Sequence, residues 1–189
     1  MAQVRVVILW HQHQPFYRDL VTGQYRLPWT RLHALKDYYG MVKLLDEFPQ
    51  VHQTFNLVPS LVWQIQDYAS GEAQDPFLRV ASRPAGDLTQ EERRFALQYL
   101  FQAHSINVIG RYPRYRELLE KFRSAGSSPE LAEKYFVPQD YTDLQVLSQI
   151  GWFDEFFLEE KETAELVRKE RNYSLDDQRQ VIEIGRAHV

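Results

Sequence analysis

Residues 4–15 read VRVVILWHQHQP, an apolar run that ends in two histidines. A near-continuous β-branched run is typical of a strand buried on both faces of a parallel sheet, so we predict a first strand over residues 4–10. Because strand side chains alternate, His11 and His13 are expected on one face. Parallel αβ barrels and open αβ sheets keep their sites at the carboxyl ends of their strands. The two imidazoles are therefore the first candidates for a functional site.

The next segments predict a strand–helix–strand unit. Apolar residues recur at helical spacing over residues 31–48, and this pattern stops before Pro49. Residues 51–57 alternate in the manner of a strand, with Val51, Phe55 and Leu57 on one face and His52 on the other. A connection of this length implies that the two strands are parallel.

Beyond the second strand the chain has helical character. We predict helices over residues 60–68, 90–107, 113–123, 129–135, 142–158 and 163–171, and a last helix capped by Ser174. Thr89 and Glu92 are expected to form a capping box, and residues 69–87, with two prolines and two glycines, resemble a linker. No third strand is predicted. Two parallel strands cannot close a barrel, which needs about 250 residues, so the α/β architecture is expected to be incomplete.

The last seven residues form a separate case. Residues 183–189 read EIGRAHV, which resembles the translation of a common sequencing-library adapter running into a stop codon. We therefore expect residues 1–182 to be the native portion, with helices from about residue 60 to residue 182, and residues 183–189 to be a non-native tail. The alternative is a native helix that ends at Gly185. His188 is left out of the candidate site.

Composition excludes several classes of function. The chain is 44% hydrophobic and 25% charged, as in globular proteins, and its net charge of -4 argues against a nucleic-acid partner. With no cysteine, disulfides and thiolate metal sites are excluded, which fits a reducing compartment. The sequence has no signal-peptide pattern and no apolar run near the ~20 residues of a membrane span. We expect a cytoplasmic protein without membrane contact.

The histidine pair alone leaves three interpretations open. It could be part of a zinc site, as in barrel hydrolases whose further ligands come from later strands. It could hold a polar substrate through neutral imidazoles, or each ring could be satisfied structurally by backbone. The other histidines do not complete a metal set, because His33 and His104 fall in predicted helices and only His52 falls on a strand.

Two further clusters suit a carbohydrate. Trp29, Arg31 and His33 lie in a loop-to-helix segment that combines aromatic rings with charged groups, and sugars have apolar faces and hydroxyl edges. An ordinary helix N-terminus, with Trp29 packed on it, is the alternative. Asn56 ends the second strand and would lie beside the histidine pair if the strands are neighbours, whereas Ser60 is expected to cap the following helix.

Three segments together resemble the opening of a glycoside hydrolase family 57 enzyme, a family with α-amylases and amylopullulanases. They are Trp10–Pro15, Leu27–Tyr39 and Phe55–Leu61, in this order and spacing. The resemblance implies a (β/α)7 barrel, of which this chain would be the N-terminal part, and α-glucan substrates. It also implies a retaining mechanism with a Glu nucleophile and an Asp general acid/base, and no metal or other cofactor.

The resemblance carries over to the first motif. It implies that His11, His13 and Gln14 contact substrate, and that His13 hydrogen-bonds the sugar in the subsite where the bond is cut. Five residues are weaker candidates for substrate contact: Trp10, Trp29, Arg31, His33 and Asn56.

The catalytic carboxylates are not found in the sequence. Retaining hydrolysis needs two carboxyl groups about 5 Å apart. Neither family motif that would carry them is matched, and acids such as Asp154 and Glu155 fall in helical charge patterns. We therefore expect the catalytic pair to lie beyond residue 189 and the chain alone to be inactive. A zinc hydrolase built on the histidine pair and a non-catalytic sugar-binding module are the competing hypotheses.

Overall fold

The computed structural model describes residues 4–189, which form a small parallel sheet and a larger group of helices. The sheet has two strands, β1 (Leu9–Gln12) and β2 (Thr54–Leu57), which pair in parallel. In their register His11 lies opposite Asn56. The predicted parallel pairing is confirmed, and it places the carboxyl ends of the two strands side by side.

Both strands are shorter than the sequence pattern suggests. β1 begins at Leu9 rather than at residue 4, and it includes His11. Val4, Val6 and Val7 are 82%, 78% and 85% exposed, so the expected burial on both faces is wrong for the described part of the chain. Burial of a strand requires neighbours on each face, and no helix or strand of residues 4–189 covers these side chains. His52 precedes β2 and is not on a strand.

The connection between the strands contains one continuous helical run with changing geometry, over residues 29–47. It consists of α1 (Trp29–His33), a π-helical segment (Ala34–Tyr38), α2 (Tyr39–Lys43) and a 3-10 turn (Leu44–Glu47). A helix is thus confirmed at the position predicted, residues 31–48, but it is not a regular α-helix throughout. The backbone N–H of Asp154 donates to the carbonyl of Leu35 at 2.8 Å within the π-helical segment.

The remaining helices follow β2 in close succession. They are α3 (Pro59–Ala69), α4 (Pro76–Ser82), α5 (Gln90–Tyr99), α6 (Pro113–Ser124), α7 (Pro129–Ala132), α8 (Pro138–Ile150), α9 (Glu155–Leu158), α10 (Lys161–Lys169) and α11 (Leu175–Ala187), with 3-10 turns at Ala85–Asp87 and Ile109–Arg111. The capping box of Thr89 and Glu92 is confirmed, and Ser174 caps α11. No helix in residues 4–189 is long and apolar enough to span a bilayer.

Three helix predictions are wrong in extent, including the one for α7, which ends at Ala132 instead of residue 135, and the linker prediction is wrong as well. α5 ends at Tyr99 instead of residue 107, which leaves His104 exposed in a loop. The helix predicted over residues 142–158 is two helices, α8 and α9, and the N-cap of α9 is Asp154. The segment 69–87 is not a linker, because it contains α4, whose Asp75 N-cap precedes a proline at the first helical turn.

α8 is the centre of the hydrophobic core. All of its residues from Asp140 to Ile150 are buried, and it packs on α4, α5, α6 and α11. A helix that is buried all round needs neighbours on every side, which explains why its apolar pattern lacks a single stripe. Gly185 of α11 lies against Phe153 and Leu35, so part of the predicted tail is packed in a helix. The non-native origin of residues 183–189 stays a prediction.

Candidate functional site

The carboxyl ends of β1 and β2 bring the first candidates together. Nδ1 of His11 lies 3.1 Å from Oδ1 of Asn56, directly across the parallel pair. The His13 ring stacks on the His11 ring with centroids 5.9 Å apart and planes at 16°. All three side chains are exposed. Because Asn56 offers a carbonyl oxygen there, Nδ1 of His11 is the donor and its Nε2 can accept a hydrogen bond.

Gln14 is held by two tyrosines. Its amide nitrogen donates to the Tyr38 hydroxyl at 3.0 Å, and its amide oxygen accepts from the Tyr17 hydroxyl at 3.0 Å. Burial raises the pKa of both phenols. Tyr38 raises the pKa of Tyr17 further, and the Asp37 carboxylate raises the pKa of Tyr38, which the hydrogen bond from Gln14 lowers in part. Both tyrosines therefore stay neutral, and their hydroxyls hold the two ends of the Gln14 amide.

Gln64 of α3 fixes the backbone of the same loop. This side chain is fully buried, its oxygen accepts from the Tyr17 N–H at 2.9 Å, and its nitrogen donates to the Pro15 carbonyl at 3.0 Å. The Ser60 hydroxyl donates to the Gln14 carbonyl at 3.3 Å. Ser60 is therefore not the cap of α3, whose N-cap is Val58, but a support for the loop that follows β1.

An aromatic cluster lies beside this loop. The Trp29 and Trp152 rings meet edge to face at 6.0 Å, and the His33 ring lies 5.8 Å from Trp152 and 6.4 Å from Tyr38. Trp29, His33 and Trp152 are all partly exposed. Sequence reasoning missed Trp152, because it comes from the turn after α8, far along the chain from α1.

Asp37 organises the polar groups of this cluster. Its carboxylate lies 2.6 Å from Nδ1 of His33 and accepts from Nζ of Lys36 at 3.0 Å. Partial burial raises the pKa of Asp37, but the hydrogen bonds from His33 and Lys36 outweigh burial and hold the pKa below its ordinary value. Asp37 is thus an ionised acceptor for both neighbours.

Arg31 is placed differently from the other candidates. It is 4% exposed, its Nε lies 3.2 Å from Oδ2 of Asp75, and its Nη1 donates to Oε1 of Gln149 at 2.9 Å. Within residues 4–189 its Nη2 has no hydrogen-bond partner. Arg31 also borders a cavity of about 10 Å³, the size of one water, together with Trp29 and Trp152. In this conformation Arg31 joins helices instead of presenting its charge at the surface.

The remaining candidates and acids have ordinary surroundings. Trp10 is 40% exposed, and its indole N–H donates to Gln53. Asp154 accepts from the Phe156 N–H at 3.0 Å as the cap of α9, and Glu155 pairs with Arg111 at 3.4 Å.

Within residues 4–189 no group of three or more metal-ligating side chains is found. A separate groove between α6 and α7, of about 580 Å³, is lined by Lys121, Leu131 and Tyr135 among others.

Comparison with known proteins identifies the family. The family model described as Glycosyl hydrolase family 57 matches residues 7–188, which is nearly the whole chain. The chain belongs to this family, and glycoside hydrolase or transglycosidase chemistry on a carbohydrate follows from that membership. Comparisons with curated proteins and with solved structures gave no match.

Proposed function

We propose that this chain is the part of a retaining α-glucan hydrolase or transglycosidase that binds the glucan at the carboxyl ends of β1 and β2. The supporting observation is that His11, His13 and Asn56 meet there, exposed, in a chain that matches the family from residue 7 to residue 188. Sites on parallel sheets are expected at this end of the strands.

The chemistry of the three side chains suits sugar hydroxyls. Each hydroxyl both donates and accepts, and two imidazoles beside an amide offer both kinds of partner at fixed positions. His13 hydrogen-bonds the sugar in the subsite where the glycosidic bond is cut. Holding that ring in a single orientation favours the reaction through positioning, and a polar partner stabilises the charge that develops on the ring.

The reaction itself needs two carboxyl groups, and the side chains described at the ends of β1 and β2 are imidazoles and an amide. In a retaining mechanism one attacks the anomeric carbon and the other protonates the leaving oxygen, at a separation of about 5 Å. We propose that both come from polypeptide beyond these 189 residues, as part of a (β/α)7 barrel. The exposed Val4, Val6 and Val7 support this proposal, since further strands and helices of a barrel would cover them.

The first experiment measures glucan binding by calorimetry. The 189-residue chain is titrated with maltoheptaose and, separately, with a cello-oligosaccharide of similar length. We expect saturable binding of maltoheptaose, weaker binding of the β-linked sugar, and a loss of at least tenfold in affinity for His13→Ala. The matched control is His104→Ala, which removes an exposed loop imidazole outside the site and should bind like the wild type. Equal affinity of His13→Ala and wild type contradicts the proposal.

Two further measurements separate the catalytic hypotheses. Release of reducing sugar from starch should be absent for the 189-residue chain, and measurable turnover would show that it holds its own catalytic pair. Elemental analysis tests the zinc-hydrolase alternative, because a metal site built on His11 and His13 requires stoichiometric zinc in the purified protein.

A further inference from the structure

The Asp37 carboxylate accepts hydrogen bonds from two donors, and this determines which ring nitrogen of His33 carries the proton. Nδ1 of His33 and Nζ of Lys36 contact different oxygens of the Asp37 carboxylate, at 2.6 Å and 3.0 Å. A carboxylate accepts and does not donate, so Nδ1 of His33 must carry a proton. In the neutral ring the proton is then absent from Nε2, which becomes the acceptor.

The His33 ring combines a free nitrogen with two aromatic neighbours. The side chain is 35% exposed, and no group within residues 4–189 hydrogen-bonds its Nε2. Trp29 and Trp152 flank the ring, and both are partly exposed. Aromatic faces beside a directed polar atom are the arrangement that recognises a pyranose, through its apolar face and its hydroxyls.

We propose that Asp37 is a positioning residue that keeps Nδ1 of His33 protonated, so that Nε2 accepts a hydrogen bond from a hydroxyl of a glucan lying against Trp152. This contact is an additional sugar subsite, built by α1, the π-helical segment and the turn after α8. It rests on the proposed function for its ligand, but the orientation of His33 stands on the protein's own contacts.

The variant Asp37→Asn should change the tautomer of the His33 imidazole. An amide has only one oxygen, while Lys36 and the Nδ1–H of His33 both require an acceptor. The charged Lys36 takes the oxygen, because a hydrogen bond from a charged donor is the stronger one. The amide NH₂ then faces Nδ1 of His33, and the imidazole responds by moving its proton to Nε2.

The tautomer is measured by long-range ¹H–¹⁵N correlation on ¹⁵N-histidine-labelled protein at about pH 8, where ordinary imidazoles are neutral. The His33 signals are assigned by their loss in His33→Ala. We expect the Nδ1–H form in the wild type and in the control Asp46→Asn, whose carboxylate pairs with Lys43 on the same helical run. The Nε2–H form is expected in Asp37→Asn. A wild-type His33 in the Nε2–H form overturns the proposal, and this result requires no variant to fold.

Maltoheptaose binding tests whether Asp37 acts through His33. We expect Asp37→Asn to weaken binding about three- to tenfold and His33→Ala to weaken it at least as much. Asp37→Asn should then have no further effect in the His33→Ala background, since two residues that act as one unit are not additive. A full additional loss in the double variant overturns the proposal.

The two proposals fail in different ways. If the wild type binds maltoheptaose and Asp37→Asn binds equally well, the additional subsite is refuted and the proposed function stands. If the wild type binds no glucan, the proposed function and the sugar contact of His33 are both refuted, while the tautomer still decides the role of Asp37.

Discussion

Asp75→Asn tests the buried ion pair that joins four helices. Asp75 is fully buried as the cap of α4, and its Oδ2 accepts from Nε of Arg31 at 3.2 Å and from the Tyr68 hydroxyl at 3.1 Å. Its Oδ1 accepts from the Leu78 N–H at 2.8 Å. Arg31 continues the network to α8 through Gln149. The substitution keeps the shape of the side chain and removes its charge.

The expected loss follows from the charge that remains. Removing one partner of a buried ion pair costs about 3–5 kcal/mol, because the other charge stays buried without compensation. Arg31 keeps its bond to Gln149 and the single oxygen of the new amide, which brings the cost of its buried charge below this range, but the Leu78 N–H then loses its acceptor at the start of α4. Together we expect about 3 kcal/mol. For a chain of this size, each kcal/mol corresponds to about 2–4 °C in Tm, which gives a decrease of roughly 6–12 °C.

Urea unfolding followed by circular dichroism measures this loss. The control is Asp46→Asn, at an exposed pair, which should leave the unfolding midpoint unchanged. Adding Arg31→Met to Asp75→Asn should recover part of the stability, because it removes the uncompensated charge. A loss below about 1 kcal/mol in Asp75→Asn, or no recovery in the double variant, refutes the assigned role of the pair.

Three other predictions concern the loop support, a close backbone approach and the pH dependence of stability. Gln64→Leu removes the acceptor of the Tyr17 N–H, so the unfolding free energy should fall by about 1–3 kcal/mol and maltoheptaose binding should weaken; unchanged affinity would argue against a support for the site. Gly40→Ala places a Cβ onto the Asp154 carboxylate and should cost about 1–3 kcal/mol in urea unfolding, a result that equal midpoints would exclude. Burial raises the pKa of Asp140, but hydrogen bonds, among them those from a lysine and an arginine, hold it below the ordinary value. The contribution of Asp140 to stability is therefore complete above about pH 4 and is lost as the pH falls through the lowered pKa. In Asp140→Asn the unfolding free energy should fall less steeply below about pH 4 than in the wild type. Equal slopes would contradict this.

Local signals predicted the parallel pair and most of the helices. The alternation over residues 51–57 and the helical spacing before it were enough to place β2 beside β1, and hence Asn56 beside His11. Thr89 and Ser174 marked helix starts correctly, since a cap is satisfied within its own first turn. The caps depend on neighbours in sequence, and the parallel pairing follows from two local strand patterns and the length of the connection between them. Local patterns are therefore sufficient for both.

Features that depend on distant residues were not predictable. Arg31 is buried because Asp75 and Gln149 approach it from other helices, and nothing in its own segment indicates this. Trp152 reaches Trp29 only after α8 packs against the remaining helices. The exposure of residues 4–7 also depends on distant residues. The strand pattern shows that this segment is apolar enough to be buried, but it does not show whether other elements cover it.

The most direct test of the proposed glucan site is chemical-shift mapping with ¹⁵N-labelled protein. Maltoheptaose is added to the 189-residue chain, and backbone and side-chain shifts are followed to saturation. The proposed site predicts the largest changes at His11, His13, Gln14 and Asn56, with further changes at the Trp152 indole. Changes confined to the groove between α6 and α7, or none at all, would contradict it.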